Sequence, residues 1–408
     1  MTTQPDALHT LARTHLPADL ADRWTGLLRP AAHLRRAGAA DPVVGRLGGL
    51  PRLIRPTTWP RAASRRPCSP GSAADGVCRR GKPRWGFLAP RSILRSDPRQ
   101  RGTTPMHVFL TGASGYIGGT VAVRLRQAGH HVSGLARDPA KAEQLARLGI
   151  EPVVGSLDDA DVLTARARRA DAVVNAADSD HRAAVETLIA ALAGSDKPLI
   201  HTSGSSTVGM GTEGEASEAV HGEDLLDPGS SWEPDHPVRA ARVAIDRLVL
   251  GAAGQGVRSA VLCDSLIYGH GRGPGRESVL IAALVRQARA GGVVRQVGPG
   301  RNIWSTVHVD DVADLYLRAL EKTPPGTFYF VANGEESFGA IAEAVARALG
   351  LPGPRPWDPD APDNVWDPAF ARHALGANSR VRAHRARELL GWDPRHRSIT
   401  DWILRELR

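Results

Sequence analysis

From Met106 onward the sequence predicts an α/β domain on a doubly wound parallel sheet, with a smaller C-terminal lobe. Three observations lead there. A short apolar run, HVFLTG (107–112), is followed by the glycine-rich turn GASGYIG (112–118) and a helical stretch, TVAVRLRQAG (120–129). A second apolar run, HHVSGLAR (130–137), completes a strand–helix–strand unit. The alternation then continues. EPVVG (151–155), DAVVNAA (171–177), KPLIHTSG (197–204) and VRSAVLCD (257–264) read as parallel strands, separated by helical stretches at 139–148, 158–169, 180–193 and 236–254. Repeated βα units of this length bring right-handed crossovers and a sheet covered on both faces.

Composition sets the outer bounds. The chain has 408 residues, 42% hydrophobic and 23% charged, which excludes wholesale disorder and fibrous repeats. No apolar run approaches the roughly 18 residues of a membrane-spanning helix. Three cysteines, Cys68, Cys78 and Cys263, make neither a disulfide framework nor a CxxC zinc pair. A reducing cytoplasm is the simplest location. The net charge of +9 is unevenly placed: residues 1–105 hold 19 Lys+Arg against 6 Asp and no Glu, and the remainder holds 33 basic and 37 acidic residues. The globular part is therefore mildly acidic, and its charge gives no reason to expect a nucleic-acid partner.

Residues 1–105 read as a basic, Pro/Arg-rich and mostly disordered extension without a function of its own, either a gene-start artefact or a fused remnant. Residues 8–50 carry weak helical periodicity, with Leu20, Trp24, Leu27 and Leu28 on one face. The stretch 51–105 has no apolar period and cannot bury enough surface to offset the entropy of ordering it. A nucleic-acid-binding arm would need more interleaved aromatics than Trp59, Trp85 and Phe87. A targeting sequence would need an apolar stretch after Arg65 and Arg66, or an amphipathic Arg/Ser helix. Residues 8–50 resemble the opening, and only the opening, of the YwqG-like family of unknown function.

The glycine turn is the first feature of the domain with chemical meaning. Gly112 permits the tight bend, Gly115 lets the backbone approach a pyrophosphate, and Gly118 lets helix and strand pack closely. The diphosphate of a dinucleotide would rest on the helix amides, beside Ser114, Tyr116 and Ile117. Inside a βαβ unit this is the Rossmann pattern rather than a bare glycine turn. Arg137, 19 residues beyond Gly118, stands where an NAD-selective site carries an acid. A guanidinium suits a 2′-phosphate, so NADP is favoured over NAD, with an inward-turned Asp138 as the feature that would restore NAD. Ligands gather at the carboxyl ends of such strands, which puts Leu157, Ala176, Ala177 and Ser203 along the cofactor track.

TGASGYIG, NAA, HTSGSSTVG, SLIYGHGRG and WSTVHVDDVADLY together resemble an extended short-chain dehydrogenase/reductase. More closely, they resemble an atypical branch of the NAD-dependent epimerase/dehydratase group, over about residues 106–408. The resemblance implies a Tyr and, one helical turn later, a Lys, with the Tyr exchanging a proton with the substrate oxygen as hydride moves. In HPVRAARVAIDRLVL (236–250) those positions fall on Val238 and Arg242. Valine cannot transfer a proton; arginine can hold ribose hydroxyls but does not relay protons. The family's serine, which bonds the substrate carbonyl, falls on Ser203, Ser205 or Ser206, and the favoured register puts Gly204 at the key place. His236 and Tyr268 are the candidate substitute donors, a helix cap and core packing being their plainer readings. His270 lies in a glycine-rich loop, GHGRGPG (269–275), that could cover a substrate. Cys263 reads as a small core residue.

The expected catalytic set is thus Ser203, Ser205, Arg242, His236 and Tyr268. The expected cofactor set is Gly112, Ser114, Gly115, Tyr116, Ile117, Gly118, Arg137, Leu157, Ala176, Ala177, Ser203 and Arg242, with no metal. The family commonly pairs into a homodimer through the helix at 236–254.

After Asp264 the alternation loosens, as a substrate lobe from 265–300 and 326–408 would require. ESVLIAALVRQARAGG (277–292) reads as an amphipathic helix and VVRQVGPG (293–300) as a strand with a turn. In WSTVHVDDVADLYLRALE (304–321), Asp310 or Asp311 is placed to cap a helix beginning at Val312, and Arg301 and Trp304 are pocket candidates. FYFVANG (328–334), FGAIAEAVARALG (338–350) and RVRAHRARELLGWDP (380–394) complete the chain, the last with Leu389, Leu390 and Trp392 docking on the core. Its arginines form a solvated face.

The resulting functional expectation is an NAD(P)-dependent oxidoreductase acting on a small organic carbonyl or alcohol, with NADP the favoured cofactor. The absent Tyr/Lys pair makes an NADP(H)-binding sensor or regulator without turnover the alternative. A nucleic-acid role for the leader would show as salt-dependent binding lost on deletion of residues 1–105.

Overall fold

The computed structural model describes residues 104–357 and 366–407. The basic leader up to residue 103, with Cys68, Cys78 and the YwqG-like stretch, lies outside the described residues. Seven parallel strands form the main sheet: β1 (His107–Thr111), β2 (His131–Ala136), β3 (Glu151–Val154), β4 (Ala172–Asn175), β5 (Pro198–Gly204), β7 (Arg258–Asp264) and β11 (Thr327–Val331). A two-residue strand, β6 (Met210–Gly211), stands outside it. The order is β11-β7-β5-β4-β1-β2-β3. Chain direction across the sheet reverses between β1 and β4, which opens a crevice at the carboxyl ends of those strands.

Alternation along each strand explains the two layers. Val108 and Leu110 of β1 belong to one core, with Val121 and Leu125 of helix α1 (Tyr116–Gln127); Phe109 belongs to the other. The helices α2 (Pro139–Arg147), α3 (Ala160–Arg169), α4 (Arg182–Leu192) and α5 (Pro237–Gly251) fill the crossovers. Leu163, Leu188, Ile245 and Val249 of the last three bury their apolar stripes in the Phe109 core. Each such side chain contributes roughly 1.5–3 kcal/mol on burial.

A second assembly stands on the carboxyl side. Strand β8 (Leu266–Tyr268) pairs parallel with β10 (Ile303–His308), and β12 (Gly334–Ser337) pairs antiparallel on its other side. Helices α6 (Val279–Gly291) and α8 (Phe338–Ala348) cover it; α7 (Val309–Lys322) instead returns to the main sheet, where Val312, Leu315, Tyr316 and Ala319 are buried. Two short ladders, β9 (Arg295–Gln296) with β13 (Arg355–Pro356) and β6 with β14 (Ala377–Asn378), tie outlying segments in. The chain closes with α9 (Arg385–Leu390) and α10 (Ile399–Glu406).

Several sequence expectations need correcting. Helix α1 starts at Tyr116, directly on the glycine turn, rather than at residue 120. Of the stretch 293–300 only two residues are strand, because Gly298 and Gly300 turn the chain with φ of +50° and +68°. Helix α7 begins at Val309, not Val312, and its cap is His308, whose Nδ1 accepts from the Asp310 N–H. The arginine-rich stretch 380–394 yields only the short α9, stopped by Gly391 at φ +62°. Leu390 and Trp392 dock as expected, but Leu389 is 48% exposed. Helix α10, which the sequence reading did not isolate, is capped by Ser398 and buries Ile399, Trp402 and Ile403.

Candidate functional site

Two adjoining cavities run along the carboxyl ends of β1, β4, β5 and β7. The larger, about 580 Å³, is lined by Gly112, Ser114, Gly115 and Leu157, with Arg137, Lys141, Arg276 and Arg286 at its rim. The smaller, about 330 Å³, lies between Ile117, Ala176, Ser206, Arg242, Leu266 and Trp304. Tyr116, Ala177 and Asp178 line both.

The glycine turn has the geometry its chemistry needs. Gly112 has φ +72°, and a Cβ there would stand 2.3 Å from the Ala176 carbonyl oxygen. A Cβ on Gly118 would stand 2.3 Å from the Gly112 oxygen, so this buried glycine packs beneath the turn and lines neither cavity. Gly115 is the N-cap of α1, with no side-chain cap and no acid in the first turn. The opening amides of α1 are thus left for an anion. A dinucleotide fits these residues.

The larger cavity carries cations. Arg137, just ahead of α2, and Lys141, in its first turn, both line the larger cavity. Asp138 does not turn inward: its Oδ1 accepts from the Lys141 N–H at 2.8 Å as the N-cap of α2.

At the inner end, Arg242 of α5 is fixed by Asp180. Its Nε donates to Asp180 Oδ1 at 2.8 Å, its Nη2 donates to Oδ2, and its Nη1 donates to Ser206 Oγ at 3.2 Å. Burial alone would lower the guanidinium's pKa, but the Asp180 carboxylate more than offsets this and raises it. Arg242 therefore stays charged. Two of its five N–H donors remain for other acceptors.

The serines divide. Ser203 Oγ donates to the buried Asp246 at 2.8 Å, and Ser205 Oγ lies 2.8 Å from Ser379 Oγ, fully buried. Ser206, on the 3-10 turn Ser205–Val208, is the hydroxyl that meets Arg242. The expected catalytic set contains Ser203 and Ser205 but not Ser206. The turn decides among three neighbouring hydroxyls, and nothing in TSGSSTVG reveals it.

His236 and Tyr268 sit elsewhere than expected. His236 is the exposed N-cap of α5, its Nδ1 accepting from the Val238 N–H, and it lines neither cavity. Tyr268 is buried against His308 and Trp402, 5.2 and 5.9 Å between ring centroids, and also lines neither. His270 is half-exposed near Glu406, and Arg301 pairs with Glu215 on the surface. Trp304 does line the smaller cavity, its Nε1 donating to the Ala377 carbonyl at 2.6 Å.

Asp310 and Asp311 serve as fasteners. Asp310 makes a bidentate pair with Arg272 at 2.9 and 2.6 Å, while the Arg272 N–H donates to Thr120 Oγ1. Burial would raise the Asp310 carboxyl; the Arg272 guanidinium outweighs it and holds the pKa below the ordinary value. The glycine-rich loop 269–275 is therefore pinned across the start of α1, with a Gly275 Cβ position only 2.5 Å from the Tyr116 nitrogen. Asp311 accepts from the Arg395 and His396 N–H groups and contacts His396 Nδ1 at 3.0 Å.

Behind the site runs a buried polar chain that the sequence did not disclose. Thr111 Oγ1 donates to Asn175 Oδ1 at 2.5 Å, and Asn175 Nδ2 lies 3.0 Å from His201 Nδ1. His201 Nε2 stands 3.9 Å from Asp246 Oδ1, and neither atom has another partner among the described residues. Burial, with Arg242 nearby, lowers His201 to about 4. Burial also pushes Asp246 up to about 7, against the hydrogen bond from Ser203. Asp264, at the end of β7, is raised well above the carboxylate range by burial; it and Ser265 line the smaller cavity, and its Oδ1 and the Ser265 hydroxyl have no partner among the described residues.

The sequence profile of the NAD dependent epimerase/dehydratase family matches residues 108–332. The chain belongs to that family. As a family member it is an NAD(P)-dependent oxidoreductase of the extended short-chain type, and its cofactor is a pyridine dinucleotide. Among its relatives, the oxidase UcsJ of Acremonium sp is 33% identical over 323 residues, spanning 70% of this chain and 92% of that one. The 2-alkyl-3-oxoalkanoate reductase of Stenotrophomonas maltophilia is 29% identical over 270 residues, 60% of this chain and 77% of that one. MoeE5, solved in complex with UDP-glucose and NAD, shares the fold with a TM-score of 0.57 at 19% identity, over 74% of this chain and 97% of that one. No helix among the described residues is long and apolar enough to cross a membrane.

Proposed function

We propose that this family member interconverts a small organic carbonyl and its alcohol, with NADP(H) as the hydride carrier. The observation that carries the reading is the continuity of the two cavities. A glycine-floored, cation-rimmed slot opens past Tyr116 and Ala177 into a compact chamber at the strand ends. When bound, the cofactor supplies or takes up a hydride there. Arg137 and Lys141 favour the 2′-phosphate of NADP, and Asp138 is occupied as a helix cap.

The chamber's charge supports an uncharged substrate. Asp178 and Asp180 line it against Arg242, which Asp180 already holds, so a nucleotide diphosphate would meet carboxylates with no free cation to offset them. The oxoalkanoate reductase among the relatives supports a carbonyl as the reacting group. In this reading residues 106–408 carry both functions, and Leu266, Val279 and His373 on the chamber wall support a substrate side drawn from 265–300 and 326–408. Cys263, a buried free thiol, is in keeping with a reducing cytoplasm, and pairing of two copies through α5 is the assembly we propose.

The test follows NADPH absorbance with purified full-length protein and a panel of neutral ketones and ketoesters. Turnover is expected with NADPH, more slowly with NADH, and Arg137→Ser should cut the preference for NADPH by about tenfold, one lost charge-assisted contact. Absence of calorimetric binding of either nucleotide refutes the reading. Tight NADPH binding without turnover of any carbonyl or alcohol selects the second reading, a dinucleotide sensor. That reading has one observation in its favour: α5 offers Val238 where a proton donor is expected.

A further inference from the structure

The chamber lacks the family's tyrosine, yet among the hydroxyls on its wall Ser206 is the one that a guanidinium holds. Ser203 is tied to Asp246 and Ser205 to Ser379. Ser206 differs from both. Its Oγ accepts a hydrogen bond from Arg242 Nη1 at 3.2 Å, and its own proton has no acceptor among the described residues. It lies on the wall of the 330 Å³ cavity and is only partly buried. Arg242 cannot drift, because Asp180 grips it through two nitrogens, and Asp180 is itself anchored where its N–H donates to Asp178 Oδ1 at 2.9 Å.

We infer that Ser206 is the catalytic proton donor, with Arg242 holding the serine oxygen and Asp180 positioning Arg242. The inference rests on the carbonyl-reductase reading above. In the reducing direction, the carbonyl carbon gains a hydride from the reduced dinucleotide and the C=O π pair moves onto oxygen. The Ser206 O–H bond breaks and its proton goes to that oxygen, completing the alcohol. The electron pair left on Ser206 Oγ faces the guanidinium, which stabilises it without giving up a proton. Water at the cavity mouth restores the hydroxyl, and oxidation runs the same steps backwards. The transfer is downhill in basicity, because a free secondary alkoxide is a stronger base than a serine oxygen held by a guanidinium. No phenol is required.

The experiment compares wild type with S206A and S206T in the full-length protein. For S206A, kcat/KM for ketone reduction is expected to fall by about 100-fold or more. NADPH affinity by calorimetry should stay within about twofold, since the binary complex does not use this proton. A second calorimetric readout is affinity of the alcohol product for the NADP⁺ complex, expected to fall by about tenfold for one lost hydrogen bond. S206T keeps a hydroxyl and should recover both quantities to within about tenfold of wild type. The inference is overturned if S206A retains wild-type kcat/KM or alcohol affinity. It is equally overturned if S206T, folded and binding NADPH, is as impaired as S206A. A wild-type protein that binds NADPH but reduces nothing refutes the function itself, a result distinct from either.

Discussion

The pairing of Asp246 with His201 makes a prediction about stability and pH. Asp246 titrates at about 7 in the folded protein, against roughly 3.9 for a free aspartate. A raised acid contributes stability that is complete below the unfolded pKa and is lost as pH rises through the folded one. With about 1.4 kcal/mol per pH unit, that loss is about 4 kcal/mol between pH ~4 and ~7. His201, lowered to about 4 from roughly 6.5, acts oppositely. Its contribution is complete above the unfolded value and disappears as pH falls through the folded one, about 3 kcal/mol over nearly the same window. The two slopes largely cancel in the wild type. Asp246→Asn removes one of them while keeping the shape and an acceptor for Ser203. Chemical denaturation of wild type and D246N at several pH values reads the difference directly, and titrations remote from position 246 cancel in it. The stability of D246N relative to wild type is expected to climb by about 4 kcal/mol from pH ~4 to ~7. A difference that is flat or falling over that window would falsify the protonated, buried Asp246 on which the argument rests.

Two further predictions concern backbone and fastening. Gly112→Ala places a methyl 2.3 Å from the Ala176 oxygen at a φ of +72°, so beyond about 1–2 kcal/mol of backbone strain the turn must shift. Thermal unfolding should show the loss and calorimetry a weakened NADPH affinity; an unaltered affinity refutes the close approach at this glycine. Asp311→Ala leaves the Arg395 and His396 N–H groups without their acceptor, at about 1–3 kcal/mol each. Hydrogen exchange should accelerate across 393–407 with the main sheet unchanged, and unaltered protection there counts against the clasp.

The main sheet was legible because its signals are local. An apolar run of four to seven residues between a turn and an amphipathic helix has one sensible reading, and β1, β2, β3, β5 and β7 lie within about a residue of it, with β4 ending two residues early at Asn175. The glycine turn was legible for the same reason: its neighbours in sequence are its neighbours in space. The lobe was not. β8 and β12 find their partner only through β10, and α10 is recognised by a cap and three apolar residues at the very end of the chain. The chemistry was least legible. Arg242 is held in place by Asp180, 62 residues away, and Ser205 by Ser379, 174 residues away. His236 and Tyr268 drew attention as residue types able to move a proton, but type says nothing about direction, and one points to solvent and the other into the core.

The segment 371–379 has a bearing on how this molecule is made. Its carbonyls at Leu375 and Ala377 accept from Asn302 and Trp304, Ser379 braces the serine turn, and β14 zips onto β6. A nascent chain that has emerged only as far as residue 370 already owns every strand of the main sheet, yet the smaller cavity still lacks His373 and Ala374 on its wall. The two cavities therefore belong to different moments of synthesis: every lining residue of the larger is present before the smaller gains its last wall.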